Sequence, residues 1–356
     1  MTYFPTSAAR VAKIEEIALE RILILDGAMG TMIQTYDLQE DDYRGPRFAD
    51  HGHPLKGNND LLVITKPDII VEIHEGFLNS GADMLCTNSF NATSISQADY
   101  ALEPLVYELN LQAAKLARQA CLKFETSDAP KAVVGTLGPT NKTLSLSPDV
   151  NDPSFRAASF DEMVVAYKEQ AAGLLDGGVD FLLVETIFDT LVAKAALYAL
   201  DDLLEERGES VPIMISGTIT DRSGRTLSGQ TVEGFWNAVR HVNPWSIGLN
   251  CALGPKDMRP FLADLSRVAT CRVSAYPNAG LPNAFGGYDE TPDDMCHVMG
   301  PWASEGMVNI LGGCCGTTPD HIAHIAHIAS HGTPRVAPQI DVALRLSGLE
   351  PFTAAA

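Results

Sequence analysis

Residues 308–321 read VNILGGCCGTTPDH, and they place Cys314 beside Cys315 with Gly312, Gly313 and Gly316 around them. Adjacent thiols have few chemical uses. A disulfide between neighbours closes a strained ring and distorts the peptide between them. A buried thiol can serve as a small apolar filler, but glycines on both sides let backbone approach something closely. Two thiolates can also hold a soft metal, given at least one more ligand from elsewhere. The rest of the chain decides among these.

A short apolar run that stops at Gly, Asp, Asn, Thr or Cys recurs eight times, in 22–30, 82–90, 132–139, 179–190, 211–221, 245–254, 271–280 and 307–318. Segments with helical spacing lie between and after these runs, at 67–81, 105–124, 160–178, 191–208, 231–242, 255–270, 292–306 and 319–330. Strict alternation of strand and helix predicts right-handed crossovers and a parallel sheet. Eight such units fit an α/β fold of the closed (β/α)₈ TIM-barrel type, with an open doubly wound sheet as the alternative. Barrel active sites lie at the C-terminal ends of the strands. Those ends supply Asp26, Thr87, Asn88, Glu185, Asp189, Asn250, Cys251, Asn278, Cys314 and Cys315. Cys251 therefore joins the pair. Cys86 stands one step earlier in its run, and Cys121, Cys271 and Cys296 fall on helices or at a strand start.

Three thiolates at one barrel mouth are a candidate Zn²⁺ site. A structural zinc closes its tetrahedron with four protein ligands, whereas three ligands and one replaceable position describe a catalytic zinc. Three soft ligands leave little Lewis acidity for activating water, so hydrolysis fits poorly. They suit a metal that takes a fourth thiolate, which points to a thiol substrate and alkyl transfer. A structural metal, or none, stays open on spacing alone. Asp26 and Glu185 at the same mouth suit a substrate ammonium; helix capping or an ion pair with Arg is the plainer use of each. Backbone N–H groups of Gly27 to Gly30 and of Gly312–Gly313 could receive a carboxylate. DGAMGT and GTLGPT lack the Lys of a phosphate loop.

The chain has 356 residues, 46% of them hydrophobic, and a formal net charge of −20. That charge argues against nucleic acid and anionic membranes as partners. No run approaches the length of a membrane span, and the N-terminus has no signal-peptide core. Seven scattered cysteines and no secretion signal predict reduced thiols in a cytoplasm.

The segments LDGAMGTMIQ (25–34), KGNNDLL (56–62), GADMLCTNSFNAT (81–93), GTLGPTNKT (135–143), SPDVNDPSFR (147–156) and ETIFDTLVAKAA (185–196) carry a family resemblance. It continues in MISGTITDRSGRTLSGQT (214–231), GLNCALGP (248–255), PNAGLPNAFGGYD (277–289) and GGCCGTTPDHI (312–322). Nearly end to end, the chain resembles the homocysteine-binding module of the zinc-dependent homocysteine S-methyltransferases, most of all the N-terminal domain of cobalamin-dependent methionine synthases. The resemblance implies one zinc on Cys251, Cys314 and Cys315, which would carry the catalysis. It implies that Asp26 and Glu185 bind the substrate ammonium, with the Gly27 backbone beside them and Asn88 and Asn278 also at the substrate site. Asn278 would hold the zinc before substrate arrives. The implied reaction converts L-homocysteine to methionine with methylcobalamin as donor, not bound stably by this chain but carried by a cobalamin- and folate-binding partner protein or domain. Betaine or S-methylmethionine as donor, a subunit that only binds homocysteine, and a Cys314–Cys315 redox switch are the alternatives.

The expected organisation is a barrel over 1–332 and a tail over 333–356, read as a linker or docking strap from Pro334, Pro338 and Pro351. The chain ends where a next domain of the large synthases would begin. Either an excised domain or a natural stand-alone subunit is expected. His321, His324 and His327 read as a solvated or partly packed helix face. Trp236, Trp245 and Trp302 read as helix–barrel packing, and 280–289 as a flap or a plain long loop.

Overall fold

The computed structural model describes residues 6–284 and 286–354. Eight parallel strands form the centre: β1 Leu23–Ile24, β2 Met84–Cys86, β3 Ala132–Leu137, β4 Phe181–Ile187, β5 Ile213–Gly217, β6 Ser246–Asn250, β7 Arg272–Tyr276 and β8 Ile310–Leu311. Each pairs with its neighbours in sequence, and β8 pairs with β1. A bridge between Leu25 and Met84 closes the ring between β1 and β2. The fold is a TIM barrel, and the open sheet is excluded. Every expected helix is present, within a few residues of its expected ends.

Local chemistry sets those ends. Pro67, Pro255, Pro292 and Pro319 occupy first-turn positions, where a missing N–H costs nothing. Ser159 with Glu162, and Thr291 with Asp294, form reciprocal capping boxes. Gly208, at φ +62°, ends the helix Thr190–Arg207.

Strand alternation separates two apolar layers. Leu182 and Val184 of β4 face outward, in a layer with Phe77, Phe235, Trp236 and Trp302 from the helices. Phe181 and Leu183 face inward with Met84, Val134, Met214 and Ile310. Glu185 continues that inward row, which carries its carboxylate to the top of the barrel interior. Trp245 departs from the helix–barrel role expected for it. It packs with the inner layer, its ring 4.8 Å from Phe181, from a position just ahead of β6 at the barrel's lower end.

Outside the expected set are four shorter α-helices, Met29–Gln34, Glu40–Arg44, Leu62–Thr65 and Ser94–Gln97, and a longest one, Ser7–Glu20. Its Ile14, Ile17 and Ala18 plug the N-terminal end of the barrel, and Glu15 accepts from the Trp245 indole at 3.1 Å. Beyond the last barrel helix the chain stays attached. Arg335 is buried and donates to the carbonyls of Ser266, Ala269 and Cys271. A hairpin of β9 Arg345–Ser347 and β10 Pro351–Thr353 lies against the helix Val232–Val239, with Ser347 Oγ bonded to the Gly234 carbonyl at 2.6 Å.

Candidate active site

The cysteine pair rides on a loop that needs its glycines. A Cβ on Gly313 would stand 2.4 Å from Thr317 Oγ1, and Thr317 must sit there because its hydroxyl donates to the Cys314 carbonyl at 2.7 Å. Gly316 has φ +84°, and a Cβ on it would stand 2.4 Å from Tyr288. Two further bonds tie the loop to the segment after β7: Cys314 N–H to the Pro277 carbonyl, and Ala279 N–H to the Cys315 carbonyl, each 2.9 Å. The glycines thus let two thiols and a covering loop meet in one small volume.

Cys251 comes from the end of β6, with φ +60°. Its Sγ lies 3.8 Å from that of Cys315, and Cys314 Sγ lies 4.0 Å from Cys315 Sγ. All three sulfurs fall within 4.8 Å of one another, the one such metal-type cluster among the described residues. Two sulfurs bound at ~2.3 Å to a tetrahedral zinc stand about 3.8 Å apart, so the donor set and its spacing fit zinc. Hydrogen bonds from the Cys251 and Cys314 thiols, with the Tyr288 hydroxyl, hold the Cys315 pKa well below its usual range. Cys314, donor to Cys251 and Cys315 and partly buried, is pushed the other way. A metal dication held there would resolve that conflict by stabilising all three as thiolates.

The sulfurs open onto a cavity of about 400 Å³, lined also by Asp26, Gly27, Gly30, Asn59, Asp60, Cys86, Asn88, Glu185, Tyr276 and Tyr288. Asp26 is buried and accepts from the Cys86 N–H at 2.9 Å. Burial, and then the nearby Glu185 charge, raise its pKa well above the carboxylate range. Burial likewise raises Glu185 to about 7 and Asp60 to about 7. No cation is among the groups acting on any of the three. Buried acids facing one cavity, with no cation beside them among the described residues, are chemically suited to a positively charged group.

The profile of the homocysteine S-methyltransferases matches residues 23–329, most of the chain and all eight strands. The chain belongs to that family. It is a methyltransferase with homocysteine as the acceptor class. It is similar to the homocysteine methyltransferase MmuM from Escherichia coli. The metallated form is 22% identical, covers 88% of this chain and 98% of that one, and gives a TM-score of 0.64. The oxidised form is 21% identical over 86% and 95%, with a TM-score of 0.66.

The structure brings Cys251, Cys314, Cys315, Asp26, Gly27, Glu185 and Asn88 to one cavity. Asn88 is fixed at its rim by an Nδ2 bond to the Asn59 carbonyl at 2.8 Å. Asn278 is buried but is not among the cavity-lining residues, and its Oδ1 has no hydrogen-bond partner among the described residues. Asp189, at a strand end, takes no part; it caps the helix Thr190–Arg207 and accepts from Leu144 and Ser145. The histidine row also stays apart. His321 holds the Glu290 carbonyl at 3.0 Å, and His324 faces Asp293 at 3.3 Å. The 280–289 stretch is a turned-back loop, with Pro282 bridged to Tyr288, and Gly286 and Tyr288 reach the cavity. Sequence reasoning missed Tyr276, Tyr288 and Asp60. The first is an inward strand residue that reads as core, the second lies in a loop, and the third sits in KGNNDLL outside any strand end.

No helix among the described residues is long and apolar enough to cross a membrane.

Proposed function

We propose that the protein is a zinc-dependent homocysteine S-methyltransferase that forms methionine, with methylcobalamin on a partner protein as donor. The observation that carries this is the three sulfurs within 4.8 Å of one another on the wall of the cavity that also holds Asp26 and Glu185. Cys251, Cys314 and Cys315 would hold the zinc. Bound there, zinc lowers the pKa of a fourth thiol while leaving its sulfur nucleophilic.

The chain's own residues do the rest. Asp26 and Glu185 take the substrate ammonium, which restores both to their ionised forms. Gly27 and Gly30 line the cavity beside them, next to where the amino-acid end would lie. The substrate sulfur is thereby held toward the trio. There it attacks the donor methyl carbon in line with the leaving group, so the new C–S bond forms as the donor's bond breaks. Orientation of this kind is worth several orders of magnitude in rate.

A cavity of about 400 Å³ takes an amino acid but not a corrinoid, so a cobalamin donor must approach at the mouth. KGNNDLL, SPDVNDPSFR and RTLSGQT resemble the cobalamin branch, and Asn59 and Asp60 of the first line the cavity. Methionine formation from L-homocysteine and free methylcobalamin, on zinc-replete and zinc-stripped protein, tests the reading. Zinc-dependent turnover is expected. Turnover with betaine or S-methylmethionine and none with methylcobalamin would replace the donor while keeping the site. Turnover that survives zinc removal would overturn the metal reading.

A further inference from the structure

Three residues that carry side chains occupy the left-handed backbone region at the mouth: Thr186 at φ +54°, Cys251 at +60° and Ala252 at +54°. Such conformations are unfavourable outside glycine and persist only where the surroundings hold them. Thr186 follows Glu185, at a point where the β4–β5 register shifts between Val184 and Ile187. A bulge of this kind re-aims a strand side chain.

One side chain braces it. Asn250, the last residue of β6, is fully buried. Its Oδ1 accepts from the Thr186 N–H at 3.2 Å and from Ser216 Oγ at 2.7 Å. Its Nδ2 donates to Thr186 Oγ1 at 2.8 Å and reaches Glu185 Oε2 at 3.5 Å. Its own carbonyl accepts from Thr218 Oγ1 at 3.0 Å. The position needs an acceptor for one backbone N–H and a donor toward a carboxylate, and an amide supplies both. Aspartate would set a second carboxylate against Glu185. An aliphatic residue would leave the Thr186 N–H buried and unpaired.

We infer that Asn250 is a positioning residue for homocysteine. It locks the Glu185–Thr186 turn, and through it the carboxylate that receives the ammonium, whereas the adjoining Cys251 serves the metal. This rests on the reading of Glu185 as an ammonium-binding group.

The test uses the full chain loaded with zinc, and measures metal content and L-homocysteine affinity by calorimetry. Asn250→Ser should keep its zinc and bind homocysteine about tenfold more weakly, with KM rising more than kcat falls. Adding Thr186→Gly should recover part of that loss, because glycine takes a positive φ without a brace. Asn250→Asp should be weaker than Asn250→Ser. If Asn250→Ser does not fold, Ser216→Ala removes one brace of the amide and should give a smaller loss in the same direction. Unchanged affinity in these variants, while Glu185→Gln weakens binding, would overturn the inference alone. Zinc lost in step with affinity would overturn it too, since Asn250 would then act through Cys251. Unchanged affinity in Glu185→Gln would remove the ammonium reading itself.

Discussion

The two ends of the barrel treat buried charge in opposite ways. At the N-terminal end, Asp180 is enclosed but answered by Arg10 at 3.0 Å, by Arg118, by Ser7 Oγ at 2.8 Å and by the Val133 N–H at 2.8 Å. Asp83 is held by both Arg21 nitrogens at 2.7 and 2.8 Å and by the Ile24 N–H at 3.0 Å. The helix Ser7–Glu20 seals this end with apolar side chains. At the C-terminal end, Asp26, Asp60 and Glu185 are enclosed with no cation beside them among the described residues, three thiols crowd together, and three backbone positions are strained. The lower end is arranged to be stable by itself. The upper end is left incomplete, and under the proposed function a dication with an ammonium group would complete it.

Substitutions at the two ends should therefore fail differently. Cys314→Ala has the largest effect on chemistry. Zinc content and methyl transfer should fall to background while the circular dichroism spectrum and melting curve keep a folded barrel. Retained turnover without metal would break the comparison at its upper end. Asp180→Ala has the largest effect on stability. It removes the acid shared by Arg10 and Arg118, although Arg10 keeps Glu125 at 3.0 Å, and losing one partner of a buried pair costs about 3–5 kcal/mol. Denaturant unfolding should show that loss, and activity per folded molecule should stay near that of the parent. A selective loss of activity would mean that the lower end reaches the site.

This division also explains which parts of the molecule were legible in the sequence. Apolar strand runs alternate with segments of helical spacing, so all eight units are legible, and the strand-end rule gathers Cys251, Cys314, Cys315, Asp26 and Glu185. The helix Ser7–Glu20 escaped because its apolar residues, Val11, Ile14, Ile17 and Ala18, are interleaved with charges and precede the first strand signal. The brace of Asn250 escaped for another reason. Its partners Glu185, Thr186 and Ser216 lie on two other strands, and no spacing along one chain segment encodes a contact across three. Asn278 shows the converse. It stands at a strand end by spacing and does not line the cavity; its N–H bonds to the Leu253 carbonyl at 3.2 Å, while Pro277 and Ala279 on either side of it bond to the cysteine pair.

Glu185 provides the finest test, since one substitution should move stability and binding in opposite directions. Its folded pKa of about 7 lies above the ~4.3 of an unfolded glutamate. Between those values the folded chain holds a proton that the unfolded chain has released. Stability is then fully present below about pH 4 and is lost as pH rises to about 7, with a flat region above. Asp26 and Asp60 act in the same direction. Glutamine carries no such penalty, so Glu185→Gln should raise the stability of zinc-free protein by about 1–3 kcal/mol at pH 8, and by little at pH 4. The same change removes a charge-assisted bond to the ammonium and should weaken homocysteine by about 1–3 kcal/mol. Melting curves across pH and a homocysteine titration read both effects. A variant that loses both stability and affinity would make Glu185 an ordinary structural acid like Asp180. Gain in the first and loss in the second is what an end of the barrel left open for its substrate requires.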